Sequence, residues 1–503
     1  MEPMDASAEH MLEGLDEAQR AAATTLHGPV RIIAGAGAGK TRTVTRRIAY
    51  ACATGQWEAS GALAVTFSVK AAAEMRSRLA SLGVGDQVTA ATFHSAALHQ
   101  LRRVWDDVCD APFPRLADDP EPRRIVGIAL RHACGADADD PTVRAVQAEI
   151  NWAKISLVAP GDYPRVCAAM HRQPPAGLDP QRFADVYDSY EQEKTSRGLI
   201  DFDDILLVAC HVLDDFEDAA DRIRRSIRWL TVDEYQDVSP LQHRLLTLWL
   251  GDNRNVCVVG DPAQTIYSFA GASSYDLLAF ADQFGPLAAD VSLNTDYRST
   301  PQIVRYANRV LAAAPNRQDY LKLVSARESG ARVSHTVYDT DDEEARGVAG
   351  RILRLAANGV DPSDCAVLTR INAQQPAVCS ALRAAGLRYR VRRDAGWSGG
   401  GVDDDAAQRQ AKLEQLGVGG VAGAVTVSTI HASKGLEFKQ VFLIGCSEGL
   451  MPYGSPAGGE VLEEERRLMY VGVTRAEDGL HMSYARTKDG TAGRARVPSR
   501  FLT

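Results

Sequence analysis

The stretch 30-VRIIAGAGAGKTRTVTRRIAYA-51 decides the architecture. An apolar run, Val30 to Ala34, gives way to a glycine-rich turn and then to a helical pattern, which reads as strand, loop, helix. Between them, Ala34-Gly35-Ala36-Gly37-Ala38-Gly39-Lys40-Thr41 has the spacing of a phosphate-binding loop. Its glycines let backbone N–H groups turn inward as an anion nest, and the following helix adds its dipole. Lys40 then reaches β- and γ-phosphates, and Thr41 offers a hydroxyl to Mg²⁺. Ala34 stands where the strict pattern has glycine, which is tolerated if its φ stays negative. The bland reading, a glycine-rich turn beside an exposed lysine, is outweighed by the strand before and the helix after.

A nucleotide hydrolase also needs an acid for the metal and a base for the water. Leu230-Thr231-Val232-Asp233-Glu234 supplies both at a strand end: Asp233 for Mg²⁺ and Glu234 for the water. An Asp-Glu pair after a strand is by itself more often a helix cap. The glycine loop upstream is what turns it into a site.

Outward from these two stretches, LAVTF (63–67), WLTVDE (229–234) and NVCVVGD (255–261) read as buried parallel strands. A second series follows: VTVSTIH (425–431), QVFLIG (440–445) and GLHMSYA (479–485), with a helix over LEEERRLMYVGVTRA. Strand and helix thus alternate in two blocks, predicting an α/β protein of two doubly wound parallel sheets. Between them in texture, residues 105–200 are helical with Pro-rich breaks and read as an all-α insertion in the first block. Residues 395–423, containing GWSGGG and GVGGVAG, read as a short connector.

Composition is ordinary for a globular chain of 503 residues: 45% hydrophobic, 24% charged, net charge −9. That excludes collagen-like, disordered and coiled-coil classes and a polybasic nucleic-acid coat, though not a local basic groove. Nine scattered cysteines without a C-x-x-C pair predict reduced thiols in a cytoplasmic protein. The polar start MEPMDASAEH is unlike a signal peptide, and Gln415–Ser433 is too interrupted to span a membrane. No membrane association is expected.

Several motifs in order then resemble one family. Val232-Asp233-Glu234-Tyr235-Gln236-Asp237, Val259-Gly260-Asp261-Pro262-Ala263-Gln264-Thr265-Ile266-Tyr267, Asp296-Tyr297-Arg298-Ser299-Thr300 and Val471-Gly472-Val473-Thr474-Arg475-Ala476 are similar to the UvrD/Rep/PcrA superfamily 1A DNA helicases. Leu15-Asp16-Glu17-Ala18-Gln19 looks like their adenine-reading motif, and Thr429-Ile430-His431-Ala432-Ser433-Lys434-Gly435-Leu436-Glu437-Phe438 like their fifth motif. The flavour of VDEYQDVSPLQ and TIYSFAGA is closest to a second, actinobacterial UvrD-type branch.

The resemblance implies two RecA-like motor domains, 1–104 with 201–290 and 291–394 with 424–503. It also implies roles around ATP. Gln19 would bond adenine, Tyr297 would stack on it, and Arg42 would lie near the base. Glu437 would contact ribose, and Gln264 would sense the γ-phosphate or its attacking water. Arg298 and Arg475 would cross the cleft as arginine fingers, an arrangement worth about 10³–10⁵ in rate. Their bland alternative is an interdomain salt bridge.

For a single DNA strand the family's contact set maps to Phe67, Thr92, Phe93, His94, Tyr267, Phe269, Arg370, Asn372 and His431. Aromatic faces there would each contribute about 1–3 kcal/mol per stacked base. Each aromatic could equally be core, and for Phe67 or Phe93 taken singly core is the better reading; their place at strand ends is what favours stacking. Lys70, Glu74 and Arg78 read as surface helix pairs. The basic runs Arg388–Arg393 and Arg486–Arg500 either touch phosphates or form solvated faces.

Two departures stand out. Ala270 and Phe269 replace the arginine and tryptophan common in the family. The connector at 395–423 occupies the place of an entire second helical insertion, which so few residues cannot build. The expectation is therefore a Mg²⁺- and ATP-dependent 3′→5′ translocase or helicase, monomeric in its core, acting on single-stranded and 3′-tailed duplex DNA with repair or replication proteins as partners. The alternatives are a P-loop ATPase of another kind, or a strand translocase that does not unwind duplex.

Overall fold

The apolar runs of the first block form strands Val30–Ala34 (β1), Ala62–Thr66 (β2), Thr89–Thr92 (β3), Trp229–Val232 (β4), Val256–Gly260 (β5) and Ala289–Leu293 (β6). They align in the order β3-β2-β4-β5-β1-β6, and every neighbouring pair is parallel. β2, β4 and β5 are buried along their whole length, as uninterrupted Val, Leu and Ala runs require of strands covered on both faces. One face packs on helices Lys40–Ala53 and Val69–Ser81, the other on Phe93–Val108, Asp204–Asp215 and Pro240–Leu250.

The second block repeats the plan with Ser334–Thr340 (β7), Cys365–Thr369 (β8), Tyr389–Arg392 (β9), Val425–Thr429 (β10), Phe438–Leu443 (β11) and Ala476–Thr487 (β12). Their order is β7-β12-β11-β8-β10-β9, again all parallel. Helices Pro301–Ala312 and Gly459–Val473 cover one face, and Asp341–Ala357 and Gln375–Ala384 the other. The chain is thus two doubly wound α/β lobes. This computed structural model describes residues 8–135, 137–268, 271–392, 423–490 and 495–502. All of the connector but its last residue, together with Phe269 and Ala270, lies outside the described residues.

Between the first lobe's strands, helices Glu121–Cys134, Asp140–Ile155, Tyr163–Met170 and Pro180–Ser196 pack around a core of their own. Each of these four helices carries a proline in its first turn, so those prolines start helices instead of breaking them. Asp139 and Asp179 cap the helices bearing Pro141 and Pro180, accepting the N–H groups of Thr142 and Arg182 at 3.0 and 2.9 Å.

Two expected boundaries shift. Residue 104 falls inside helix Phe93–Val108, whose Leu101 and Val104 share the first lobe's core. Residue 290 falls inside β6, which pairs with β1, so the first sheet ends at Leu293.

Where the insertion meets the first lobe, Lys154 is buried and donates to Asp201 Oδ2 at 2.5 Å and Asp204 Oδ1 at 2.8 Å. Lys194, also buried, meets Asp204 Oδ2 at 2.5 Å. Glu191, Asp201 and Asp204 have metal-like spacing. Two ammonium groups already satisfy them, so the cluster is an ion-pair knot joining insertion to lobe.

Candidate nucleotide site and strand-facing surface

The phosphate loop forms as its composition requires. Gly37 and Gly39 take left-handed backbone, φ 71° and 76°, where a side chain would be strained. Gly39 also stands at the N-cap position of helix Lys40–Ala53. Gly37 meets a second demand: a Cβ there would lie 2.0 Å from Asp296 Oδ1 of the second lobe's leading segment. Ala34 ends β1, buried and outside the left-handed region. It does not line the cavity, so it shapes the loop from the core without offering an atom to a ligand.

A cavity of about 630 Å³ opens at the ends of β1 and β4 and is walled by both lobes. The first lobe contributes Gly35 to Arg42, Gln19, Asp233, Glu234 and Gln264. The second contributes Tyr297, Arg298, Lys434, Glu437 and Arg475. Lys40 and Arg475 therefore face one space.

Thr41 Oγ1 donates to Asp233 Oδ2 at 3.0 Å. Burial, with Glu234 beside it, pushes the Asp233 carboxyl up to about 6. Burial would raise Glu234 as well, but Lys40, Lys434, the Gln236 amide and Arg475 outweigh it and hold that carboxyl at about 2. One acid is thus kept ionised beside the loop lysine, as a base for water requires at neutral pH. Glu234 also has left-handed backbone, φ 56° and ψ 41°, a strained conformation for a residue with a side chain.

Gln19 is set by a capping box: Asp16 accepts its N–H at 2.8 Å, and its Nε2 donates to Ala38 O at 2.9 Å. Tyr297 is 44% exposed at the cavity mouth, with its hydroxyl donating to Asp16 Oδ2 at 2.5 Å. Arg42 donates to Gly14 O at 3.0 Å. The tyrosine ring, Gln19 and Arg42 thus line the cavity together, with Tyr297 and Gln19 joined through Asp16.

Arg475 is buried at the seam, bonded to Val471 O and Leu436 O at 3.1 and 3.2 Å. Burial, then Arg298 nearby, lowers its guanidinium to about 10, still charged at neutral pH. Arg298 pairs with Glu437, while its Nε is buried with no hydrogen-bond partner. Arg298 thus keeps a buried donor that an anion would satisfy, while Arg475 is held by protein oxygens at the wall of the same cavity.

Lys434 received no role from the sequence, yet it crosses the seam. Its Nζ pairs with Asp237 Oδ2 and donates to Gln264 O at 2.7 Å. Its place between His431 and Glu437 was the available signal. Tyr470 had no comparable signal; its hydroxyl lies 3.4 Å from Ala36 N and from Asp261 Oδ2.

The strand set divides. Phe67 and Tyr267 stack at 5.5 Å, Tyr267 OH donates to His431 O at 3.2 Å, and Lys434 lies 5.0 Å from the Tyr267 ring centre. These residues form one half-buried aromatic group on the seam. Asn372 is exposed on the second lobe.

Phe93 corrects the expectation: it is 2% exposed and stacked on Trp249, so it has no free face for a base. Thr92 is buried, and its hydroxyl accepts the N–H of Ser95 as a helix cap. His94 is buried against Phe202 with ring centres 3.8 Å apart. Arg370 is held bidentate by Glu465. Phe269 lies outside the described residues.

The profile described as the UvrD/REP helicase N-terminal domain matches residues 15–285, and that of the UvrD-like helicase C-terminal domain matches 291–395 and 408–487. The ATP-dependent DNA helicase UvrD2 of Mycobacterium tuberculosis is 39% identical over 587 aligned positions, covering 99% of this chain and 82% of the relative. The ATP-dependent DNA helicase PcrA of Bacillus subtilis is 28% identical, covering 95% of this chain and 84% of its own. An alignment of 587 positions exceeds the 503 residues here, so the mycobacterial relative carries segments this chain lacks.

Proposed function

The chain belongs to the UvrD/REP helicase family, and we propose that it is an ATP-dependent DNA helicase. In this reading it moves 3′→5′ on a single strand, hydrolysing ATP to ADP and phosphate at the seam between its lobes. The observation that carries it is the single cavity into which Lys40 of one lobe and Arg298 and Arg475 of the other all face.

Each residue then has a task. The loop N–H groups and Lys40 hold the phosphates, while Tyr297, Gln19 and Arg42 hold the base. Glu437, pointing into the same space, takes the ribose. Glu234 orients and deprotonates the attacking water, with Gln264 beside it at the γ-phosphate. Arg298 and Arg475 neutralise charge that develops in transfer. Thr41 and Asp233 present two hard oxygens 3.0 Å apart beside the loop, a donor set that fits Mg²⁺. These two side chains would hold the ion, which would supply charge neutralisation at the phosphates.

Because arginines of the second lobe complete the site, its geometry depends on the γ-phosphate, and losing that phosphate releases the lobes. The aromatic group of Phe67 and Tyr267 lies on the same seam, next to His431, so lobe motion alters the grip on bases. A DNA substrate and nine free cysteines are in keeping with work in the cytoplasm, beside repair or replication proteins.

The short connector at 395–423 supports a second reading, a motor that tracks a strand without parting duplex. ATP turnover with and without single-stranded DNA, followed by unwinding of a 3′-tailed duplex, tests both. Stimulated turnover with unwinding supports the helicase, and stimulation alone supports the translocase. Turnover indifferent to DNA overturns both.

A further inference from the structure

We propose that Gln236 is a positioning residue that ties the orientation of Glu234 to the docking of the second lobe. The inference rests on the reading of Glu234 as the base and adds a residue that touches neither nucleotide nor strand.

Gln236 follows Glu234 in a single turn of 3₁₀ helix and is fully buried. Its Nε2 donates to Glu234 Oε2 and, at 3.3 Å, to Asp237 Oδ2. Its Oε1 accepts the backbone N–H of Asp261 at 2.9 Å. Both ends of the amide are therefore used, and a glutamine is one of few side chains able to donate and accept at once. The fit is close: a Cβ on Gly260 would lie 2.6 Å from Gln236 Oε1.

From Gln236 two chains of contacts reach the other lobe. In one, Asp261 Oδ2 accepts from Gln264 Nε2 at 2.8 Å, and Gln264 Oε1 accepts from Arg475 at 3.4 Å. In the other, Asp237 is paired with Lys434. Glu234 is thus connected through one amide to Arg475 and Lys434, two of the cations that the second lobe brings to the cavity. The strained backbone of Glu234 makes such support necessary, since a left-handed residue persists only where its surroundings hold it.

When the lobes part, Gln264 and Asp237 lose their second-lobe partners Arg475 and Lys434, and Gln236 is free to let Glu234 swing from the water. The base is then competent only with the lobes closed, which suppresses wasted hydrolysis.

The test compares Gln236→Glu, Gln236→Leu, Arg475→Ala and the double variant Gln236→Leu/Arg475→Ala in the full chain. Readouts are kcat and KM for strand-stimulated ATP turnover, with ADP binding as the measure of a folded site. Gln236→Glu keeps an acceptor for Asp261 N–H and loses the donor to Glu234. Its expected effect is a 10- to 100-fold loss in kcat with KM and ADP affinity within about threefold. In the double variant the losses do not multiply: kcat falls little below that of the worse single change, because both residues act through one network. Wild-type kcat in Gln236→Glu, or multiplied losses in the double variant, overturns the proposal. Failure of the wild-type protein to respond to DNA would instead sink the motor reading beneath it.

Discussion

Arg475 and Gln264 meet across the seam: the arginine's Nη2 donates to the glutamine's Oε1 at 3.4 Å. One comes from the last turn before β12, the other from the turn after β5. The contact joins a side chain expected at the γ-phosphate to one expected to stabilise its transfer. Arg475→Ala should lower strand-stimulated turnover by about 10³ or more while leaving ADP affinity nearly unchanged. Turnover within tenfold of wild type would remove the arginine from the reaction.

Glu234→Gln keeps the shape of the side chain and removes its basicity. It should bind ATP and single strands normally, with turnover at background. A variant with near-normal turnover would reassign the base.

Strand binding at the seam should weaken with salt, with a log–log slope of about −0.7 for each phosphate neutralised. Titrating a fluorescent oligonucleotide at several salt concentrations measures it. A flat response would mean that the aromatic group, not cations, carries all of the binding.

Lys154 tests the join between insertion and lobe. Burial disfavours its charge, but Asp201, Asp204 and Glu191 outweigh burial and raise its pKa. Lys154→Ala leaves those acids buried and short of a cation, at a cost of about 3–5 kcal/mol in urea unfolding. A loss below about 1 kcal/mol would show the knot to be solvated.

His94 predicts acid sensitivity. Burial lowers its pKa to about 3, and its Nε2 has no hydrogen-bond partner. A base with a depressed folded pKa contributes stability above about 6.5 that is lost as pH falls toward 3. Between pH 8 and pH 5 this amounts to about 2 kcal/mol. His94→Phe should flatten that part of the stability profile in denaturant melts at the two pH values. An unchanged slope would place the proton elsewhere.

The nucleotide end of the molecule was largely legible in the chain. A strand, three spaced glycines and Lys40-Thr41 are contiguous, so their spacing alone dictates a nest at a helix start. Asp233 and Glu234 end a strand that any apolar-run reading finds. The strand-facing set was less legible. Thr92, Phe93 and His94 follow a strand end as a ligand-facing segment does, yet they begin a helix whose inner side is the core of the first lobe. No local pattern states which way that helix leans. Arg370 looked free to meet a phosphate, and its partner Glu465 lies on a helix of the far part of the chain.

Sequence alone therefore determined the two α/β lobes, the phosphate loop and the acids beside it, because each depends on neighbours within a few residues. Tertiary structure alone decided that Lys434 would reach Asp237, that Gln236 would brace Glu234 against Asp261, and that Phe93 would face Trp249 instead of solvent. Those outcomes depend on how two sheets and their helices pack, and packing brings together side chains far apart in the chain, such as Lys434 and Asp237, 197 positions from each other.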